Sequence, residues 1–338
     1  MLPCIARIAP VAFALFGAAP TLAQSFEPLE AEIQIEDAER FVRVFEATNG
    51  TPTADQLQEG YLDGAGKGVA IFNPGRIESA ENLARRIAAD PDKYRRAIDV
   101  CLPMAKAANA DLRSIYLALA SIFPDRPLPE VHFVFGAGNS GGTAGPGAQV
   151  IGLEVICEVA DGPEEIRTLY RKFFAHETVH VLQGTDGGSA ARRRDPLLAG
   201  SLREGVADFI AALVTGSAPM PARDQWASER EASVWKTFAR DRDALRKMVA
   251  DGASFDDPPP EGVAIYRRWL ANYKNAPDGW PYELGYWVGR RIATAYFERA
   301  EDKRQAIEEL LELRDVDAIL EASGYADRLA DDPAQPLP

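Results

Sequence analysis

Histidine, cysteine and basic residues are all in short supply in this chain. Its 338 residues include three His and three Cys, and 37 Lys plus Arg stand against 51 Asp plus Glu, a formal charge of -14. That acidic balance argues against nucleic acid and anionic membrane as partners, because like charge repels. It does not identify a substrate. Beyond the first two dozen residues no apolar run reaches the roughly 20 residues a membrane-spanning helix needs. The glycine-rich stretch Gly136 to Gly147 has no Gly-Lys-Ser/Thr behind it, so a phosphate-binding loop has little support. No internal repeat is visible, and Pro258-Pro259-Pro260 is the one low-complexity spot. Neither Cys101 nor Cys157 has a histidine beside it, which leaves a Cys-His nucleophile without local support.

Residues 1–24 read as a secretory signal peptide. Arg7 supplies a weakly basic start, Ile8 to Ala19 an apolar core, and Thr21-Leu22-Ala23 a small-residue cleavage site before Gln24 and Ser25. Pro10 and Pro20 make the segment too short to span a bilayer, and an uncleaved anchor is the alternative. Cys4 precedes the apolar core, so it is not a lipobox cysteine. The expectation is an exported protein, periplasmic or secreted. Cleavage removes Arg7 and no acid, moving the formal charge from -14 to about -15. In an oxidising compartment Cys101 and Cys157 are either a disulfide or two buried thiols. The mature chain, roughly 315 residues, suffices for one large domain or two lobes.

The expected organisation is a helical region over 25–128 followed by a second region over 129–330. The first carries helices at about 36–48, 78–90, 92–107 and 109–122. Between the first two, Gly60 to Gly75 reads as irregular, with Val69-Ala70-Ile71-Phe72 as a short extended piece. Pro124, Pro127 and Pro129 close the region. The second opens with a strand, Val131 to Phe135, then the glycine-rich loop, then a strand from Gln149 to Ile156. His132 reads as an ordinary strand histidine rather than a ligand. A helix follows, with Asp161 as a candidate N-cap, Pro163 in the first turn, and Glu164 and Glu165 at the positive end of the dipole. Ile166, Leu169, Phe173, Val179 and Leu182 keep helical spacing up to Gly184. After a polar loop from Thr185 to Arg194, Asp195 caps and Pro196 opens a helix over Leu197 to Thr215. Further helices are expected at about 226–250, 261–274, 283–299, 303–313 and 315–323. The fold class is therefore α+β and mainly helical, with a small β-sheet ahead of the central helix and a helical C-terminal part.

Two of the three histidines fall on that central helix, in His176-Glu177-Thr178-Val179-His180. Residues four apart share a helix face, so two imidazoles can grip one metal ion from one side. The Glu between them projects at a neighbouring angle and can reach the water that such a metal activates. A catalytic zinc usually takes three protein ligands and keeps one open position. No histidine occurs downstream, so the third ligand must be a different residue type. Glu204 is the best candidate, because it lies on the next helix, and two antiparallel helices joined by a short loop can bring it opposite the pair. Asp208, one turn further on the same face, can accept the free ring N–H of His176 and fix its tautomer. Asp186 is a rival third ligand, in the position an H-E-x-x-H-x-x-G-x-x-H pattern would use, but Gln183 occupies the glycine position. A capping or surface carboxylate is the plain reading of Glu204, although Leu202, Val206, Phe209 and Ile210 around it are apolar.

H-E-x-x-H followed by E-x-x-x-D resembles the gluzincin peptidases, the thermolysin-like group. More narrowly, Arg203 to Ile210 (REGVADFI), Asn139-Ser140-Gly141-Gly142-Thr143 and Gly285-Tyr286-Trp287-Val288-Gly289 are similar to a family of predicted bacterial zinc-dependent proteases related to gliding-motility lipoproteins. The resemblance covers about residues 130–325, and this chain departs from the motility lipoproteins in having no lipobox. It implies a zincin-like catalytic domain over 129–330 holding one Zn2+ per chain on His176, His180 and Glu204. Glu177 would be the general base that takes a proton from water and hands it to the leaving amine. Gluzincins often add a Tyr or His that steadies the oxyanion, which here implies Tyr286, with Tyr282 in reserve. The plain reading of Tyr286 is an aromatic packed in an apolar helix. The Asn139–Thr143 loop and the strand at 149–156 match the place where zincins keep an edge strand for an extended peptide or protein substrate. A flexible hairpin is the alternative there.

Three functions remain open on the sequence. They are an exported zinc metallopeptidase, a non-catalytic envelope assembly or binding protein on the same scaffold, and a zinc amidase acting on a cell-wall amide. The intact Glu177 favours an enzyme, since a scaffold has no chemical need for it.

Overall fold

The computed structural model describes residues 27–184, 188–254 and 257–338. The expected leader at 1–24 and the rival ligand Asp186 lie outside the described residues. The chain is mainly helical, with one small mixed sheet.

The sheet has four strands: β1 (Ile33–Gln34), β2 (Glu130–Val134), β3 (Gly142–Gly145) and β4 (Ala148–Gly152). Their order is β1-β2-β4-β3. β2 pairs in parallel with both β1 and β4, while β3 runs antiparallel to β4 and forms an edge. The first strand thus comes from the N-terminal helical region and the rest from the second region. Six of the helices around the sheet and the site are α1 (Glu36–Ala47), α2 (Lys67–Phe72), α3 (Asn109–Ile122), α4 (Pro163–Gln183), α5 (Pro196–Thr215) and α6 (Leu284–Arg299).

Strand alternation divides the sheet into two faces. One meets α4: Phe133 packs edge-on against Tyr170 at 5.0 Å. On the same face Gln149 Nε2 donates to the Phe174 carbonyl at 3.1 Å and to Thr178 Oγ1 at 2.7 Å. This buried amide ties the centre of the sheet to the turn of α4 that carries the histidines. The opposite face meets α2, where Gly68 lies against His132 and Val134, and just beyond the end of β2 Phe135 stacks on Phe41 of α1 at 4.3 Å.

Several expectations give way to tertiary contacts. Val69 to Phe72 is the end of helix α2 rather than an extended piece. The carboxylate of Asp37 on α1 accepts the N–H groups of Gly66 at 2.7 Å and Val69 at 3.0 Å, capping α2 from outside its own sequence. The glycine-rich loop contains β3, because its backbone pairs with β4 despite having little side chain. The strand expected up to Ile156 stops at Gly152, and a helix, Leu153–Val159, takes over. In its first turn the buried carboxylate of Glu154 turns back to accept the N–H groups of Gly136 at 3.0 Å and Gly138 at 3.1 Å. Asp161 does not cap α4; Gly162 holds that position without a side-chain cap, and Glu165 reaches back to the Asp161 N–H at 2.8 Å. Asp195 does cap α5, accepting from Leu198 N–H at 3.1 Å.

Part of the expected polar loop is a helix, Ser189–Arg194. The helix expected at 226–250 is two, Pro221–Ser228 and Glu231–Ala250, and the one expected at 261–274 is Pro260–Arg267. Cys101 and Cys157 form a disulfide that ties the N-terminal helices to the segment after β4.

α5 and α6 touch backbone to backbone. A Cβ added to Gly289 would stand 1.8 Å from the carbonyl oxygen of Ser201, and one added to Gly205 would stand 2.2 Å from the amide of Arg290. No side chain fits at that crossing. Among the described residues no helix is long and apolar enough to cross a membrane.

Candidate metal centre

α4 presents His176, Glu177 and His180 in its last two turns, and all three are buried. α5 runs back antiparallel beside it, so its residues meet those of α4 in reverse order: Arg203 with Gln183, Glu204 with His180, Asp208 with His176. His180 Nε2 lies 3.1 Å from His176 Nε2 and 3.0 Å from Glu204 Oε2, and His176 Nε2 lies 3.6 Å from the same oxygen. Two ligands about 2.0–2.1 Å from a tetrahedral zinc stand about 3.3 Å apart. The three donor atoms therefore fit a zinc-sized ion, and the cluster could hold a metal ion.

The atoms behind the donors decide which nitrogen is available. His176 Nδ1 lies 3.0 Å from Asp208 Oδ1, and His180 Nδ1 lies 2.8 Å from Gln183 Oε1. Both acceptors call for a proton on Nδ1, which leaves Nε2 of each ring free to bind a metal. Gln183 is held in turn by donating to the Arg203 carbonyl at 3.1 Å. Asp208 is held by Arg223, whose Nη2 donates to Oδ2 at 2.8 Å; both side chains are almost wholly buried. Arg223 also donates to the Glu283 carbonyl at 3.2 Å.

The electrostatics favour a cation at the centre. Burial alone would pull His176 down, but hydrogen bonds to Asp208 and Glu204 push it up to about 10. Burial would raise Glu204, yet the charge of His180 and hydrogen bonds from both histidines hold it well below the usual carboxylate range. Asp208 is also held low, against burial, chiefly by Arg223 and His176. Glu177 goes the other way: burial raises it, which makes it a readier proton acceptor.

Tyr286 joins the cluster from α6. Its ring stacks on His176 at 6.1 Å, within 7° of parallel. Burial first, then the charge of Glu204 and Glu283, holds its phenol protonated and able to donate. Tyr282 is not brought to the histidines in this way; its ring packs edge-on against Tyr273 at 5.2 Å. His132 sits on the other face of the sheet, 2.9 Å from Glu130 Oε2.

The Asn139–Thr143 segment leads into edge strand β3 directly over Glu177. A Cβ on Gly142 would stand 2.6 Å from Glu177 Oε1 and 2.8 Å from the Phe173 ring, so only glycine lets the strand lie this close. Ser140 Oγ donates to the Gly142 carbonyl at 2.7 Å, and Gly141 lies against Phe173. Asn139 is exposed, and Thr143 pairs with Val150.

Two residues of the site have no separate signal in the sequence reading. Gln183 was visible, three residues after His180, but only as a residue breaking another pattern. Arg223 belongs to a different helix, and nothing local marks it as the partner of Asp208. No protein-family model, curated protein or solved structure matches the chain.

Proposed function

We propose that this chain is an exported zinc-dependent metallopeptidase of gluzincin type, akin to the bacterial protease family its motifs resemble, with a zincin-like core around α4. One observation carries the reading: His176, His180 and Glu204 converge within 4.8 Å, with Glu177 between the two histidines on the same helix. A zinc ion bound there would supply Lewis acidity, polarising a scissile carbonyl and lowering the pKa of water toward neutrality.

The chain's own groups supply the rest. Glu177 takes the proton of the attacking water and passes it to the leaving amine. Its raised proton affinity suits both halves of that transfer. Tyr286, kept neutral, donates to the oxygen on which negative charge develops. Asp208 and Gln183 keep both imidazoles in the tautomer that ligates. Edge strand β3 offers its outer backbone groups to an extended peptide, which would lie across Glu177.

The test is zinc content together with peptide hydrolysis on the wild-type chain and on Glu177→Ala. The expected result is one zinc per chain in both, with cleavage falling by about 100-fold or more only in the variant. Zinc without cleavage of any peptide or cell-wall substrate would turn the reading to a binding protein. No zinc in either, even when supplied, would remove the site assignment.

A further inference from the structure

By its own sequence β3 is poorly equipped to hold a fixed position. Its four residues, Gly142-Thr143-Ala144-Gly145, include two glycines and an alanine, and it forms an edge of the sheet. A glycine-rich strand has little side chain to specify its register, and a slip of one residue turns every side chain to the other face. The register decides what this edge offers. The Gly141 carbonyl accepts from Gly152 N–H at 3.1 Å, so Gly141 and Thr143 face β4, while the backbone groups of Gly142 and Ala144 point outward. The same register sets Gly142 against Glu177. A slip of one residue would bring Thr143 to a place where even a Cβ on Gly142 stands 2.6 Å from Glu177 Oε1.

Groups outside β3 must therefore fix it. After the strand the turn at Pro146-Gly147 does so, with Gly147 at φ +65°. Before the strand a buried cluster grips the loop 135–141 by its backbone. Glu154 stands two residues after β4 and is fully buried. Its Oε2 accepts the Gly136 N–H at 3.0 Å and its Oε1 the Gly138 N–H at 3.1 Å. Tyr94 donates its hydroxyl to the Gly136 carbonyl at 3.0 Å. Tyr61 donates to the Phe135 carbonyl at 2.7 Å and accepts the Phe135 N–H at 3.1 Å. Phe72 of α2 closes on Gly136, where a Cβ would stand 2.5 Å from its ring, and a Cβ on Gly152 would stand 2.6 Å from the Ser140 carbonyl oxygen. A buried carboxylate is costly unless hydrogen bonds answer its charge, and its bonds to N–H groups are stronger than neutral ones. Two oxygens on amides two residues apart fix the direction of the loop as one bond could not.

We infer that Glu154 is a positioning residue for the substrate: through the 136–141 loop it holds β3 in the register that turns Gly142 and Ala144 outward beside Glu177. An extended peptide adding to that edge needs those backbone groups in place before it arrives, since ordering them on binding would cost affinity. Tyr61, Tyr94 and Phe72 lie behind the same loop, so the N-terminal helical region is the backing of the substrate edge. That role rests on the peptidase reading, and the clamp itself can be tested apart from it.

Three variants test it. Glu154→Gln keeps the shape, but its NH2 meets one of the two N–H donors, so one arm of the clamp is lost. Glu154→Asp keeps the charge and falls a methylene short of both amides. Tyr94→Phe takes one bond from the same loop without disturbing a charge, and serves where Glu154→Gln folds poorly. Each zinc-loaded protein is compared with wild type by hydrogen exchange across 136–145 and across α4, by kcat and KM on fluorescein-labelled casein, and by binding to immobilised casein. Both Glu154 variants should exchange about tenfold faster or more at 136–145, with α4 and zinc content unchanged. The KM for casein should rise about tenfold with kcat within about threefold, and casein binding should weaken to match. Tyr94→Phe should move the same quantities the same way by less. Exchange and KM within twofold of wild type in a folded Glu154→Gln overturn the inference. So does a fall in kcat alone, a rise in exchange that is equal in α4, or a Glu154→Asp that behaves as wild type. Wild type that binds casein without cutting it, with binding weakened in the variants, upholds the inference and sinks the peptidase reading. Wild type that neither binds nor cuts casein removes β3 as a substrate edge, and the inference with it.

Discussion

Replacing Asp208 with Asn tests the support behind the metal site most directly. The two carboxylate oxygens of Asp208 each have a distinct partner: His176 Nδ1 at 3.0 Å and Arg223 Nη2 at 2.8 Å. An amide cannot serve both. If its oxygen faces His176, its NH2 is driven against the Arg223 donors. If it turns over, the NH2 meets His176 Nδ1 and forces the ring proton onto Nε2, the atom the metal needs. Zinc affinity should therefore fall about 10- to 100-fold. Stability should fall too, because Arg223 is left buried without its main anion, a change worth about 3–5 kcal/mol. The lower end applies, since Asp224 at 3.5 Å and the Glu283 carbonyl at 3.2 Å continue to hold the guanidinium. At about 2 °C per kcal/mol for a chain of this size, the melting temperature should drop by about 6 °C. Competition with a zinc chelator gives the first number and scanning fluorimetry of the metal-free protein the second. Adding Arg223→Met separates them: it removes the stranded charge, so stability should return while zinc affinity stays low. Zinc binding within twofold of wild type in Asp208→Asn would refute the assignment of Asp208 as the group that orients His176.

Three further outcomes follow from the same structure. Gly142→Ala places a methyl group against Glu177 and Phe173, so peptide cleavage should fall about tenfold or more with a stability loss of about 1–3 kcal/mol in urea melts; unchanged kinetics would mean β3 does not approach Glu177. Asp111 is held below the usual carboxylate range, first by its hydrogen bond from Arg167 and also by Arg171. A carboxyl held low when folded stabilises the protein above its unfolded pKa and loses that contribution as pH falls through the folded value. Urea melts from about pH 7 down to about pH 2 should therefore show wild type converging on Asp111→Asn only at the acid end. Cys101→Ser opens a link between residues 56 apart, which in the chain-entropy description costs about 4 kcal/mol. Equal melting of reduced and oxidised wild type would contradict that.

The core of the site was readable because it is local. Two histidines four apart on a helix share a face whatever the rest of the chain does. Glu204 and Asp208 were readable because their helix begins after a short connection and must run back antiparallel. The unread parts depend on contacts between distant segments. Asp37 turns Val69–Phe72 into a helix from another element, and β-branched residues alone suggested extension. β3 pairs through backbone that its glycines leave featureless in sequence. Arg223 meets Asp208 only because three helices cross at one point, and no spacing rule connects positions 15 apart on separate helices.

The contact of α5 with α6 has a consequence for how the site can change. Glu204 is carried by one of these helices and Tyr286 by the other, and their separation is set where Gly289 meets the Ser201 carbonyl. Two backbones in direct touch cannot come closer, so the pair acts as a stop. A methyl at Gly289 has no room there, so it would have to force the two helices apart, and with them Glu204 and Tyr286, although it touches neither. The spacing of Glu204 and Tyr286 is thus governed by the contact of Gly289 with Ser201 between the two helices, one turn away from each of them in sequence.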